Sequence, residues 1–223
     1  MDERTYFEYG DKETEYLKSR DRVLGAAIDE IGHIRRAVQP DIFKALINSI
    51  VGQQISTKAQ ATIWARINSL FPSMNPETIA GASDETLQSC GISFRKVSYI
   101  KDIAFSVCNG SLNLNLLQTL PDREVCRQLS QIKGIGVWTA EMLMTFSMQR
   151  PDIISYGDLA ILRGMRMLYR HRKITPELFA KYRRRYSPYA TVASLYLWAI
   201  AGGACPNLSD PAAKQTSSRK KKI

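Results

Sequence analysis

The sequence predicts an all-α protein of about ten helices joined by short connections. Apolar residues recur at the spacing of an amphipathic helix, as at Leu24, Ala27 and Ile31, whereas the strict alternation typical of strands does not occur convincingly. Helix-start signals support the same class, because Asn75-Pro76-Glu77 and Thr175-Pro176-Glu177 each place an N-cap residue, an N1 proline and a first-turn acid in order.

Taken in chain order, these patterns predict the position of each helix. A short helix starts at Ser83-Asp84-Glu85 and ends near Gly91, and the apolar run Ala190–Ala204 predicts a buried core helix. The other helices are expected over 17–38, 41–51, 57–70, 96–107 and 121–131, from 76, after 136, from about 158, and from 176.

Composition indicates a globular chain with a polyanionic partner. The 223 residues are 44% hydrophobic and 23% charged, which excludes a disordered chain, and 31 Lys and Arg against 21 Asp and Glu give a net charge of +10. The excess lies mostly between Arg163 and Tyr186, where Glu177 is the one acid, and partly in the tail after Pro206. Such a balance favours nucleic acid or an anionic membrane surface.

Two observations limit the cellular compartment and the cofactors that we expect for this protein. Cys90, Cys108, Cys126 and Cys205 form no C-x-x-C pair, so we expect no iron–sulfur cluster or zinc site but reduced, buried cysteines in a cytoplasmic protein. The acidic N-terminus lacks a secretory signal, and the apolar run is shorter than the ~20 residues of a membrane-spanning helix. The sequence therefore predicts no membrane association.

The most informative segment is a short glycine hairpin between two predicted helices, Leu129–Ala140. Gly134 and Gly136 are two residues apart, and glycine permits positive φ and leaves no Cβ in the way of an approaching group. The amides at the start of the following helix suit a phosphate oxygen. A helix-ending glycine followed by a tight turn explains the same pattern, so both interpretations stay open.

With its neighbours, this hairpin resembles that of the helix-hairpin-helix (HhH-GPD) DNA glycosylase superfamily. Asp158 lies 22 residues after Gly136, where that family places its catalytic aspartate. The resemblance covers about residues 40–204 and is most similar to the DNA-3-methyladenine glycosylase II branch. It rests on the segments 53–56, 90–96, 132–140, 157–159, 187–189 and 196–198.

The resemblance implies a fold of two helical domains with a DNA-binding cleft between them. Residues 1–38 with 152–205 would form the terminal domain and 39–151 the central one, followed by a flexible basic tail over 206–223. It also implies a monomeric, monofunctional enzyme that flips alkylated purines, of the 3-methyladenine and 7-methylguanine type, out of duplex DNA. The enzyme would hydrolyse their N-glycosidic bond in base excision repair.

The family's functional positions transfer to matching residues of this chain. Asp158 would be catalytic, although its position alone favours a simple N-cap. The one cofactor that the resemblance implies is a Na⁺ or K⁺ ion at the hairpin. Trp138, Trp198, Met142 and Leu159 would form the base pocket, and the carbonyls of Ser130, Ile132 and Ile135 would hold the ion. The DNA contacts would be Gln53, Gln54, Ser56, Lys133, Gly134, Gly136, Thr139 and Arg163, with Gln54 in the gap left by the base.

Trp138 distinguishes the branches of this superfamily. Bifunctional relatives carry a lysine at this position that attacks C1′ of the sugar, and a tryptophan cannot form the resulting Schiff base. Two alternatives remain: an endonuclease III-like glycosylase/lyase, and a non-enzymatic helix-hairpin-helix DNA-binding module in which Asp158 is only a cap. Trp64 is expected in the core.

Overall fold

The computed structural model describes residues 5–212, and this part of the chain is helical, with thirteen helices and one isolated bridge between Tyr6 and Ala37. The predicted all-α class is confirmed. The helices are α1 Asp11–Arg20, α2 Arg22–Ile31, α3 Ile42–Gly52, α4 Thr57–Leu70, α5 Pro76–Gly81, α6 Asp84–Ser89, α7 Phe94–Cys108, α8 Leu114–Thr119, α9 Asp122–Leu129, α10 Val137–Phe146, α11 Leu159–Tyr169, α12 Pro176–Tyr186 and α13 Ala190–Ala201.

The chain divides into two compact units. The terminal unit contains the described parts of Met1–Ala37 and Gln149–Ile223, and the central unit is Val38–Met148. Helices α1, α2 and α11–α13 belong to the terminal unit, and α3–α10 belong to the central unit.

The predicted helix over 17–38 is wrong. Asp21 adopts an extended conformation and its Oδ1 accepts the amides of Val23 and Leu24, each at 3.1 Å, so it starts a second helix instead of continuing the first. Gly32, with φ +73°, then ends α2 before the predicted limit. The sequence analysis also missed α8, which Asn113 caps.

Helix α13 forms the centre of the terminal unit. Ten of its residues, Ala190–Leu197 with Ile200 and Ala201, are buried, which confirms the predicted core helix. Within residues 5–212, no helix combines the length and apolar character needed to cross a membrane.

Helix α11 packs on α13 with its backbone unusually close. A Cβ at Gly164 would clash with the carbonyl oxygen of Leu197 and lie 3.1 Å from its Cα. Because only a glycine permits this approach, Gly164 sets the distance between α11 and α13. This matters for the site because α11 begins immediately after Asp158.

In the central unit, one face of α3 supplies the core while the other remains accessible. Phe43, Leu46, Ile47 and Ile50 are buried, whereas Asn48 is only partly buried. Trp64 on α4 is also partly buried, so its predicted place in the core is wrong.

We expect Gly164→Ala to destabilise the protein. A methyl group forced against the α13 backbone cannot be relieved by a side-chain rotation, so the free energy of unfolding should fall by about 1–3 kcal/mol. Gly81→Ala is the matched control, because nothing lies within 4 Å of a Cβ at that position. Urea denaturation of both variants checks this, and equal midpoints would contradict the close packing.

Candidate functional site

Asp158 occupies the N-cap of α11. Its Oδ1 accepts hydrogen bonds from the amides of Ala160 at 2.8 Å and Ile161 at 3.0 Å, and the residue is only 7% exposed. The predicted capping role is therefore confirmed. Two bonds to one oxygen fix the position of the carboxylate at the start of the helix.

The loop that leads to Asp158 is anchored on α13 by hydroxyl groups. The Thr191 amide donates to the Pro151 carbonyl at 3.0 Å, and the Ile153 amide donates to Thr191 Oγ1 at 2.9 Å. Ser194 Oγ donates to the Ile153 carbonyl at 3.1 Å. The sequence analysis did not identify Thr191 and Ser194 as important, but they hold the backbone that positions Asp158.

The other predicted residues of the terminal unit lie on α11 and α13. Leu159 is 80% exposed, directly beside Asp158, and Arg163 follows four residues later on the same helix face. The Arg163 Nε lies 4.0 Å from Asp210 Oδ2. Trp198 is partly buried near the end of α13.

The hairpin in the central unit uses its two glycines differently. Gly134 has φ +86°, and a Cβ there would lie 2.7 Å from the Tyr99 ring and 2.9 Å from Ile50 Cδ1. Gly136 has an ordinary φ of −88°, and a Cβ there would meet nothing within 4 Å. Gly134 is thus required by the turn itself.

Gly136 leaves the start of α10 without a side-chain cap. It is the N-cap residue of that helix, and a glycine has no side chain that could accept a hydrogen bond from the first turn. Because the first amides of a helix are not used within the helix, an uncapped start can bind an anion. This is the phosphate site that the sequence predicted, and it stays a prediction.

The loop between α3 and α4 is tied to the hairpin by Gln53. Its Nε2 donates to the Gly134 carbonyl at 2.6 Å, so this amide supports the hairpin from within the protein. Gln54 is exposed at φ +59°, and Ser56 caps α4 by accepting the Ala59 amide at 3.2 Å. Of the predicted loop contacts, Gln54 is therefore the one whose side chain projects from a strained backbone position at the surface.

Lys96 supports the same loop and was missed by the sequence analysis as a site residue. Its Nζ donates to the carbonyls of Gln53 at 2.7 Å and Val51 at 2.8 Å, and burial lowers the pKa of its ammonium group. The residue lies on α7, and no spacing pattern in the sequence links it to a loop more than forty residues earlier.

The remaining hairpin residues include a cation and several carbonyls. Lys133 Nζ lies 3.3 Å from Asp102 Oδ2, so this lysine forms a salt bridge within the protein. The Ile132 carbonyl accepts the Ile135 amide at 2.9 Å and keeps a second lone pair. Together with the Ser130 carbonyl, these backbone oxygens suit a monovalent cation, which stays a prediction.

A groove of about 300 Å³ lies in the central unit between α3 and α10. Its α10 side contains Trp138, Thr139 and Met142, three of the predicted residues, and Trp138 is 49% exposed. These residues recur at helical spacing and so share one face of α10. Sequence reasoning missed most of the groove: Gln39, Ala45, Asn48, Ser49, Gly52, Gln60, Leu143, Phe146 and Ser147 line it as well.

The basic stretch over 163–186 is only partly available to phosphates. Arg166 pairs with Asp210, its Nε lying 2.9 Å from Oδ1, and this guanidinium holds the pKa of the Asp210 carboxyl below its usual range. Arg185 Nη1 donates to buried Asp21 at 3.0 Å. Asp210 lies in the predicted tail, whose residues 213–223 fall outside the described part of the chain.

The cysteines are all free. Cys90 and Cys205 are buried as expected, but Cys126 is partly buried and Cys108 is exposed at the end of α7, so that part of the expectation is wrong. In the described residues no three His, Cys, Asp or Glu side chains form a group that could hold a metal ion.

Comparison with known proteins extends these observations. Residues 47–188 match the family described as HhH-GPD superfamily base excision DNA repair protein. The chain is 36% identical over 163 residues to DNA-3-methyladenine glycosylase 1 of Schizosaccharomyces pombe, covering 70% of this chain and 71% of that protein.

Two solved structures share the fold. The crystal structure of DNA-3-methyladenine glycosidase from Bacillus halodurans has a TM-score of 0.82 at 35% identity, covering 91% of this chain and 95% of that one. The S. pombe 3-methyladenine DNA glycosylase in complex with abasic DNA has a TM-score of 0.71 at 31% identity, covering 84% and 95%. The chain therefore belongs to the HhH-GPD superfamily of base excision DNA repair proteins.

Proposed function

We propose that this protein is a monofunctional DNA glycosylase, acting as a monomer, that excises alkylated purines such as 3-methyladenine and 7-methylguanine from duplex DNA. The observation that carries the proposal is the buried Asp158 carboxylate, fixed by two amides at the start of α11. The relatives named DNA-3-methyladenine glycosylase, and the solved relative with abasic DNA, support the same reaction.

A single carboxylate is enough for this chemistry. Breaking an N-glycosidic bond develops positive charge on the sugar, and a fixed carboxylate stabilises that charge and orients the attacking water. A purine alkylated at N3 or N7 already carries positive charge and leaves readily, so no strong general acid is needed. Asp158 acts as this carboxylate in the proposed reaction.

The α3–α10 groove receives the extruded base in this proposal. Trp138 offers half of its indole surface to solvent at the edge of the groove. An indole face attracts a cationic ring by about 0.5–2 kcal/mol, which favours alkylated purines over neutral ones. Met142 beside it supplies an apolar and deformable wall.

DNA binding and base flipping use the hairpin and the loop after α3. The uncapped start of α10 binds a backbone phosphate, and exposed Gln54 fills the space that the base leaves. Arg163, whose side chain stays 55% exposed beside Asp210, and the basic residues of α12 other than Arg185 add phosphate contacts, which makes binding salt-dependent.

Asp158→Asn should abolish most of the activity without unfolding the protein. The amide oxygen still caps α11, so the free energy of unfolding should change by less than about 1 kcal/mol. The rate of base release should fall by about 100-fold or more, because the negative charge beside the sugar is lost. Single-turnover excision from duplex DNA containing 7-methylguanine measures this.

Asp41→Asn is the matched control, since Asp41 caps α3 by accepting the Lys44 amide at 3.0 Å. It should keep the wild-type excision rate, and both variants should bind undamaged duplex DNA as the wild type does. An Asp158→Asn protein with an unchanged single-turnover rate would show that Asp158 is a cap alone and that the protein is a binding module.

The reaction should leave an intact abasic strand. Trp138 has no amine to attack C1′, so treatment with borohydride during turnover should trap no protein–DNA adduct, and the strand should break only after alkali. A covalent adduct, or strand cleavage without alkali, would instead identify an endonuclease III-like lyase.

A further inference from the structure

Two side-chain amides form a fixed pair on the α3 side of the groove. Gln60 Nε2 donates to the Asn48 backbone carbonyl at 3.1 Å and to Asn48 Oδ1 at 3.0 Å. A backbone carbonyl only accepts, so the Gln60 atom facing it must be the nitrogen. Both of its hydrogens are then used, and the orientation of both amides is determined.

Gly52 makes room for this pair. A Cβ at Gly52 would lie 2.5 Å from Gln60 Nε2 and 2.7 Å from Gln60 Oε1, so the amide lies flat against the last turn of α3. The φ of Gly52 is not in the left-handed region, and the glycine is therefore needed for space and not for backbone conformation. Asn48, Gly52 and Gln60 all line the groove.

The pair leaves one donor and one acceptor uncommitted. In the part of the chain that the structure describes, no further hydrogen bond involves Asn48 Nδ2 or Gln60 Oε1. An amide donor beside an amide acceptor matches a base edge on which an acceptor and a donor are adjacent. Both side chains are only partly buried, so a ligand in the groove can reach them.

We propose that Asn48 and Gln60 determine which damaged bases are excised, by pairing with the six-membered-ring edge of the extruded purine. This inference rests on the proposed glycosylase function. On 3-methyladenine, whose donor and acceptor lie in the opposite order along this edge, Gln60 Oε1 accepts from the N6 amino group and Asn48 Nδ2 donates to N1 when the ring is turned over relative to 7-methylguanine. On 7-methylguanine, Asn48 Nδ2 donates to O6 and Gln60 Oε1 accepts from N1–H.

The same pair disfavours 1,N6-ethenoadenine. The etheno bridge joins N1 and N6, so this edge carries no N–H, and Gln60 Oε1 would face it without a hydrogen bond. A site built to bond a substrate N–H discriminates against an analogue that lacks it, because its own polar group is left unpaired. The structure thus assigns the discrimination between these lesions to Gln60.

The test compares two lesions in one duplex sequence under single-turnover conditions. For Gln60→Leu, the excision rate of 7-methylguanine should fall about tenfold, while that of ethenoadenine should stay the same or rise. Because the ratio of the two rates is measured on one preparation, partial misfolding lowers both rates and leaves the ratio unchanged. Gly52→Ala should also lower the ratio of the 7-methylguanine rate to the ethenoadenine rate, since its methyl group displaces the Gln60 amide.

Asn68→Ala is the control, because Asn68 is an exposed amide on the same helix whose Nδ2 donates to the Trp64 carbonyl at 2.9 Å. Its ratio should stay within twofold of the wild type. An unchanged ratio in both Gln60→Leu and Gly52→Ala would overturn the inference and leave the pair a brace between α3 and α4. If the wild type released neither base, the proposed function itself would fail.

Discussion

The two hydrogen bonds that Asp158 Oδ1 accepts from the first turn of α11 are the constraint on which the account depends. They make one residue both a structural cap and the best candidate for the reacting carboxylate. A carboxylate held in this way loses little freedom when a substrate arrives, because folding has already restricted it. The packing of the terminal unit serves this placement, since the hydroxyls of Thr191 and Ser194 hold the preceding loop.

The basic residues also have two roles, because some pair with acidic residues of the protein and are not available to DNA. Two arginines of the basic stretch over 163–186 pair with carboxylates of the protein itself, because Arg185 contacts buried Asp21 and Arg166 contacts Asp210. A buried carboxylate without such a partner would be strongly destabilising. The net charge of +10 therefore overstates the positive surface that is free to meet DNA.

Much of the fold could be predicted from local signals, because caps and helical periodicity act over a few residues. The starts of α5 and α12 follow from Asn75 and Thr175, which cap them as expected, and the bounds of α4 agree with the predicted helix over 57–70. The break at Asp21 was missed because apolar spacing continues across it. The Asn48–Gln60 pair was also missed, since only the turn between α3 and α4 brings those amides together.

The most direct test of the account is to identify what the wild-type protein releases from methylated duplex DNA. A monofunctional glycosylase should release free 3-methyladenine and 7-methylguanine into the supernatant, detected by mass spectrometry, in amounts equal to the abasic sites that form in the DNA. Tight binding to the damaged duplex with no released base would contradict it, and would reduce Asp158 to the N-cap of α11.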